Sequence, residues 1–172
     1  RQSGVPPGSI GAIAISNQRA TVLCVDADGR ALGNAISWQD MRGAPQIRAF
    51  RRKIPDAAYY AITGLPNNAV FTLGKLLWIQ ARDPDRFRKT AHFVLLQDYL
   101  LHALGVDGFV CDWSNASLTG MFDISTFRWS AEILDAAAIP VSKLPELVPP
   151  GTRVGEVSAQ AARMTGLIRG TP

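Results

Sequence analysis

The stretch AISNQRATVLCVDADGRALGNAISWQDMRG, residues 14–43, determines the fold and contains the most unusual side chains of the chain. Thr21 to Val25 is apolar and β-branched, which predicts a strand, and Asp26 to Gly29 has the composition of a tight turn. Ala31 to Trp38 then predicts the returning strand. Before them, the small apolar run Ile10 to Ser16 predicts a strand covered on both faces. We therefore expect neighbouring strands that end in polar residues.

After Gly43 the hydrophobic periodicity changes to that of helices. One helix is expected to begin near Pro45. Five more are expected from Asp56 to Ile62, Val70 to Ala81, Gln97 to Leu104, Ser130 to Ala138 and Ala159 to Thr165. Strands are expected from His92 to Leu96 and from Phe109 to Cys111. Strands that alternate with helices in this way predict an α/β layered domain.

Charge and composition narrow the class of function. The 172 residues carry 18 basic and 14 acidic side chains, a formal net charge of +4. The basic block from Arg48 to Lys53 fills a single helical turn and forms no longer basic stripe, which favours a solvated helix face and no nucleic-acid partner. No apolar run approaches the ~20 residues of a membrane span, so no membrane partner is expected. Cys24 and Cys111 lack metal-ligand spacing, which predicts no metal site and reduced core residues of a cytoplasmic protein.

Two polar clusters follow the ends of predicted strands. Gln18 and Arg19 come directly after the first strand, and ligands of α/β sheets bind beyond the carboxyl ends of strands. The second cluster, at the end of the returning strand, consists of Trp38, Gln39, Asp40 and Arg42. An indole face can contact the apolar face of a sugar or polyol while the carboxylate and amide bind its hydroxyls. The alternatives are local turn bonds for the first cluster and a core Trp with an N-capping Asp for the second. A third cluster, Asp112 to Ser117, is interpreted as a structural corner and helix cap.

The order of these motifs resembles the first domain of the FGGY carbohydrate kinases, the family of glycerol kinase and xylulokinase. The resemblance rests on the opening stretch and continues in TGLPNNAVFTLGKLLWIQARDPDRF, VLLQDYLLHALG, DWSNASLTGMFDISTFRWSAEILDAAAIP and LPELVPPGTRVGEVSAQAARMTGLIRGTP. It covers nearly the whole chain in one consistent order.

The resemblance implies an actin-like, ribonuclease-H-like fold with a sugar or polyol at the bottom of a deep cleft. Arg19 would bind substrate hydroxyls, Trp38 would line the pocket, and Gln18, Asp40 and Phe71 would lie nearby. ATP and Mg²⁺ would serve the intact protein and enter from a second domain. The small-molecule partner would then be a sugar or polyol.

Two departures from the glycerol kinase pattern bear on the substrate. Ala20 stands where glycerol kinases have a Glu, and Val70 stands where they have a Tyr before the Phe. An unpaired buried hydroxyl costs about 1–3 kcal/mol, so glycerol is disfavoured and a pentulose, another ketose or a polyol is expected. The xylulokinase pattern after Gln18 is not matched either.

The resemblance also predicts the domain boundaries. Residues 1–172 are expected to form a single partial domain that lacks the first strands, the catalytic Asp, expected after Pro172, and the nucleotide domain. We expect the chain alone to be inactive and to bind no cofactor, and its unpaired sheet edge suggests a homodimer. Two alternatives stay open: a non-catalytic actin-like module for sugar sensing or protein contacts, and an autoinducer kinase.

Overall fold

The computed structural model describes residues 4–172. Its α-helices are α1 (Ala44–Phe50), α2 (Asp56–Thr63), α3 (Thr72–Arg82), α4 (Pro84–Lys89), α5 (Leu96–Leu104), α6 (Trp113–Ser117), α7 (Ala131–Ala137) and α8 (Ala159–Thr165). Its strands are β1 (Val22–Val25), β2 (His92–Leu95), β3 (Val110–Asp112), β4 (Phe122–Asp123), β5 (Arg128–Trp129) and β6 (Glu146–Val148), and short 3-10 helices cover Pro7–Ser9 and Val141–Lys143. In this part of the chain no helix combines the length and the apolar character that crossing a bilayer requires.

The described strands form three two-stranded sheets. β1 and β2 are antiparallel, β3 and β6 are parallel, and β4 and β5 are antiparallel. Helices α1, α2, α3 and α7 and the inner faces of β1 and β2 contribute to one large apolar cluster, and a smaller cluster lies on the other side of β1 and β2. Cys24 and Cys111 are both buried and free, which confirms the prediction that they are reduced core residues.

The sequence located most helix ends correctly because the capping residues were recognisable. The Ser130 side chain accepts the amide of Ile133, and the Ser158 side chain accepts the amide of Ala161. Gly64 ends α2 in the left-handed conformation. The two Ser side chains accept amides that have no partner within their helices, and Gly64 allows the chain to leave α2 through a left-handed turn.

The predicted strand from Ile10 to Ser16 is wrong. None of the three sheets includes this segment; its backbone bonds are a local one from Ile10 N to the Pro7 carbonyl at 3.2 Å and one from Ile13 N to the Pro172 carbonyl at 2.9 Å. Ala12 and Ala14 are exposed, although a strand covered on both faces was expected. An apolar run becomes a strand only beside a neighbour that pairs with it, and the described segments supply none here.

The returning strand is reduced to isolated contacts. Ala31 pairs with Val25 and Ile36 pairs with Val22, each as a single bridge. Between them Gly33 has a φ of +124°, which interrupts a regular ladder. The sequence also missed α4, the short β4–β5 pair and β6. A hairpin with two residues in each strand is too short to produce an alternating pattern.

Helices α1 and α3 approach each other at backbone distance. A Cβ added to Gly43, immediately before α1, would lie 2.0 Å from the carbonyl oxygen of Gly74 in α3. A Cβ added to Gly74 would lie 2.9 Å from the Ala69 Cα. Both positions therefore require glycine for steric reasons, and the contact fixes how the loop before α1 lies on α3.

The start of α5 contains a buried carboxyl group. Asp98 is fully buried, and its Oδ2 accepts the amide of Leu95 at 2.8 Å. Burial raises the pKa of Asp98 to about 7, although the hydrogen bond from Leu95 partly opposes that rise. Below about pH 7 the folded chain therefore favours the protonated form of this carboxyl group.

We expect Gly43→Ala to destabilise the fold by at least about 1–3 kcal/mol, since the methyl group would collide with a backbone carbonyl that cannot rotate away. Urea denaturation followed by circular dichroism measures this. Gly11→Ala is the matched control, because a Cβ at Gly11 meets nothing within 4 Å. Equal stability of the two variants would contradict the close approach of α1 and α3.

The raised pKa of Asp98 predicts a stability that falls as the pH rises from about 4 to about 7. In that window the unfolded Asp has released its proton while the folded one retains it, and each unit of difference is worth about 1.4 kcal/mol. Asp98→Asn should remove this dependence, because the amide oxygen can still accept the Leu95 amide. Thermal unfolding from pH 4 to 8 tests it, with the exposed Asp107→Asn as control. Parallel pH profiles for wild type and Asp98→Asn would refute the prediction.

Candidate functional site

Trp38 combines a hydrogen-bonded backbone with a solvent-exposed indole ring. Its amide donates to Thr21 Oγ1 at 3.0 Å, so the loop after Ile36 is held against the start of β1. The Trp38 side chain is nevertheless on the surface, with 40% of the residue exposed. The alternative interpretation as a core Trp is therefore wrong. An indole anchored in this way offers an apolar face to a ligand.

Asp40 is an ionised and oriented carboxylate. Its Oδ2 accepts Arg42 Nε at 2.8 Å and lies 2.6 Å from Arg42 Nη2, while Oδ1 accepts the Arg42 amide at 2.8 Å. The hydrogen bond from the Arg42 side chain lowers the pKa of Asp40. Arg42 in turn lies 4.7 Å from the ring centroid of Trp78. The N-cap of α1 is Gly43, so Asp40 does not cap that helix as the alternative interpretation required.

Val70 and Phe71 meet the Trp38 loop through a buried ammonium group. Lys75 Nζ donates to the carbonyl oxygens of Val70 at 2.6 Å, Phe71 at 3.4 Å and Trp38 at 3.4 Å. Sequence reasoning missed Lys75, although its position gave a signal. It lies in the apolar stripe of α3 beside Leu76, with no acidic residue one turn away on either side.

The other three predicted residues, Gln18, Arg19 and Ala20, immediately precede Thr21 in the chain. Gln18 and Arg19 are exposed, and Arg19 Nη1 donates to the Ser114 carbonyl at 3.2 Å, which directs the guanidinium toward α6. Ala20 is buried, with a φ of +61° in the left-handed region that alanine seldom adopts. This turn, and not a strand end, determines where Arg19 points.

Arg19 lines a cleft of about 650 Å³ whose other walls are residues 12–17, α5, the end of β3 and residues 148–157. Trp38, Asp40, Val70 and Phe71 do not line this cleft. The seven predicted residues therefore divide into two groups: Trp38, Asp40, Val70 and Phe71 lie around Lys75, and Arg19 lies at the cleft. Gln18 and Ala20 flank Arg19 in the chain, and Thr21 links the groups through its bond to Trp38.

A carboxylate and amide network forms the polar part of the cleft. Gln97 Nε2 donates to Asp112 Oδ2 at 2.5 Å, and Asn115 Nδ2 donates to the same oxygen at 2.7 Å. Asp112 Oδ1 accepts the amides of Ser114 and Asn115, which confirms its predicted role as a helix cap. Burial alone would raise the pKa of Asp112, but the bonds from Asn115 and Gln97 outweigh it and the net shift is downward. Sequence reasoning missed Gln97, which lies 15 residues earlier in the chain.

The described residues do not fit a metal ion. Between residues 4 and 172 no group of three or more His, Cys, Asp or Glu side chains is arranged to hold one. Arginine, indole, amide and a carboxylate paired with Arg42 are instead the side chains that recognise neutral hydroxyl-rich molecules by hydrogen bonds and apolar contact.

Known proteins resemble the chain in both sequence and structure. Glycerol kinase of Thermus brockianus is 36% identical over 162 residues, which cover 91% of this chain and 33% of the relative. The crystal structure of xylulose kinase from Rhodospirillum rubrum superposes with a TM-score of 0.89 at 28% identity, covering 94% of this chain and 34% of that one. Plasmodium falciparum glycerol kinase with ADP gives a TM-score of 0.84 at 29% identity, covering 93% and 33%.

The chain thus spans about a third of the length of the curated relatives it matches. The structural neighbours confirm the predicted fold class, the actin-like fold of this kinase family. The model of the N-terminal domain of the FGGY family of carbohydrate kinases matches residues 1–172, and the chain belongs to that family.

Proposed function

We propose that this chain is the substrate-side domain of an ATP-dependent carbohydrate kinase that transfers the γ-phosphate of ATP to a hydroxyl of a sugar or polyol. The favoured substrate class is a ketose such as a pentulose. Family membership supports the reaction class. The single observation that carries the substrate side is the bond from Trp38 N to Thr21 Oγ1, which ties the backbone of the exposed Trp38 to a residue two positions after Arg19.

Each proposed binding residue has a distinct role. Arg19 donates hydrogen bonds to substrate hydroxyls from the edge of the cleft, with Gln18 beside it. Trp38 covers the apolar face of the sugar, and Asp40 accepts hydroxyl hydrogens as a carboxylate held by Arg42. Phe71 completes the apolar wall. Phosphoryl transfer depends mainly on positioning and charge stabilisation, so holding the acceptor hydroxyl is the share of catalysis proposed for this domain.

ATP and Mg²⁺ are proposed to bind elsewhere in the whole protein, since the described residues offer no metal site. ATP supplies the phosphoryl group, and residues beyond Pro172 are proposed to supply the base that deprotonates the acceptor. On this proposal the 172-residue chain alone is inactive. Substrate-dependent release of ADP by the purified chain would refute that part.

Ala20 and Val70 support a substrate other than glycerol. Neither side chain can form the hydrogen bonds to hydroxyls that the Glu and Tyr of the glycerol kinase pattern can form. Ala20 is buried and Val70 is partly buried, so a polar side chain at either position would lose water and would need a hydrogen-bond partner. The relatives include enzymes named for glycerol and for xylulose, which is consistent with a pocket that varies at a few positions.

Arg19→Ala in the full-length protein should lower kcat/KM for its sugar by roughly 10–100-fold or more, because hydrogen bonds to a charged donor are worth about 1.5–3 kcal/mol. A coupled ADP-release assay across glycerol, pentuloses, ketohexoses, polyols and the autoinducer precursor first identifies the substrate. Arg30→Ala is the matched control, since Arg30 is exposed and bonds Asp28 in a surface turn. Silence across the panel with ATP still bound would favour a sensing module over a kinase.

The double variant Ala20→Glu, Val70→Tyr should shift preference toward glycerol, since it restores two side chains that can bond glycerol hydroxyls, each bond contributing roughly 0.5–3 kcal/mol. The measurement is the ratio of kcat/KM for glycerol to kcat/KM for the preferred ketose. Ala20→Gly, Val70→Phe changes size without adding the two polar groups and serves as control. An unchanged ratio in a folded double variant would show that other residues set the specificity.

A further inference from the structure

Lys75 is an unusual residue for the middle of an apolar helix. It is fully buried within α3, between Leu73 and Leu77 of the main apolar cluster. A buried ammonium is costly unless hydrogen bonds replace its lost water. Its Nζ lies 2.6 Å from the Val70 carbonyl oxygen, 3.4 Å from those of Phe71 and Trp38, and 3.5 Å from that of Ala69.

The carbonyl partners come from two separate parts of the chain. Residues 69–71 precede α3, whereas Trp38 lies 37 residues before Lys75 in the loop that leads to α1. The Lys75 stem reaches this junction because the two glycines, Gly43 and Gly74, let α1 and α3 approach closely. One ammonium thus joins two loops at the point where their side chains turn outward.

The charged group that acts electrostatically on Lys75 is the carboxylate of Asp40. Asp40 is itself paired with Arg42. The other groups against the ammonium are neutral backbone carbonyls. Burial lowers the pKa of Lys75 to about 8, and Asp40 opposes part of that shift.

We propose that Lys75 is the positioning residue of the sugar site: it holds the Trp38 loop against the Val70–Phe71 wall and so sets the spacing between these two proposed substrate walls. The inference rests on the proposed function, because it assigns Lys75 to the substrate walls named there. Lys75 is buried behind these walls and acts on the sugar only through them. Its loss should therefore raise KM more than it lowers kcat.

A purely structural role for Lys75 would also fit burial, and Lys143 provides the matched control. Lys143 Nζ likewise donates to backbone carbonyls, those of Phe87, Arg88 and Thr90, in a part of the chain away from Trp38 and Phe71. Removing either ammonium leaves carbonyl groups unpaired. Only Lys75 joins the proposed substrate walls.

The experiment compares wild type, Lys75→Met and Lys143→Met as full-length proteins. Each is assayed by ADP release with the preferred sugar of the panel, from pH 6.5 to 9.5. We expect Lys75→Met to raise KM at least tenfold with kcat changed less than threefold, and Lys143→Met to leave KM within twofold. Wild type and Lys143→Met should both show KM rising above about pH 8, where Lys75 loses a proton and one donor. Lys75→Met should lack that rise.

The outcomes separate the two levels of the proposal. A folded Lys75→Met protein with wild-type KM overturns the positioning role and leaves the kinase function intact. A wild-type protein that phosphorylates no sugar of the panel overturns both. If Lys75→Met does not fold, the wild-type pH profile decides: a KM that stays flat to pH 9.5 refutes the role of Lys75, and a rise at constant circular dichroism supports it.

Discussion

Helices α1 and α3 approach so closely at Gly43 and Gly74 that a single methyl group at Gly43 would collide with the opposing backbone. This steric constraint governs the geometry of the site. It brings the loop that carries Trp38 and Asp40 over the beginning of α3, within reach of the next residue of that helix, Lys75. Glycine at both positions costs conformational entropy, which the fold tolerates because no other residue permits this approach.

In the same region, the side chains that stabilise the fold differ from those proposed to contact a ligand. Apolar side chains of α3 point into the main cluster and provide the burial that holds the domain together. The backbone carbonyls of Val70 and Phe71, immediately before this helix, accept hydrogen bonds from Lys75. Trp38 and Asp40, the side chains of the proposed sugar site, therefore extend from a loop whose backbone is held by hydrogen bonds to Thr21 and Lys75.

The sequence predicts those features of the fold, such as helix ends, whose signals lie within a few neighbouring residues. Ser130, Ser158 and Gly64 mark helix ends because their capping chemistry involves residues within one turn. The family resemblance brought Trp38 and Phe71 into one hypothesis. The structure places both beside Lys75.

Features that depend on distant partners could not be predicted. The run from Ile10 to Ser16 has the composition of a strand, but pairing depends on a neighbour, and no described segment pairs with it. The network of Asp112 and Gln97 joins residues 15 positions apart, so no motif spacing reveals it. Lys75 was visible in the sequence as a charge in an apolar stripe. Its partners could not be predicted, because every residue has a backbone carbonyl whatever its side chain.

The contacts of Lys75 also have a consequence for how rigidly the two loops are joined. An ammonium group has three hydrogens and rotates freely about its last bond, while four carbonyl oxygens lie within 3.5 Å of Nζ. A planar guanidinium would fix its acceptors at set angles. The ammonium can instead exchange hydrogens among acceptors as the loops shift by tenths of an ångström. The two loops are thus held together without being locked, and small changes in their spacing cost little. In the proposed kinase, a change of substrate would then require substitutions only among the residues of the walls, with the buried attachment unchanged.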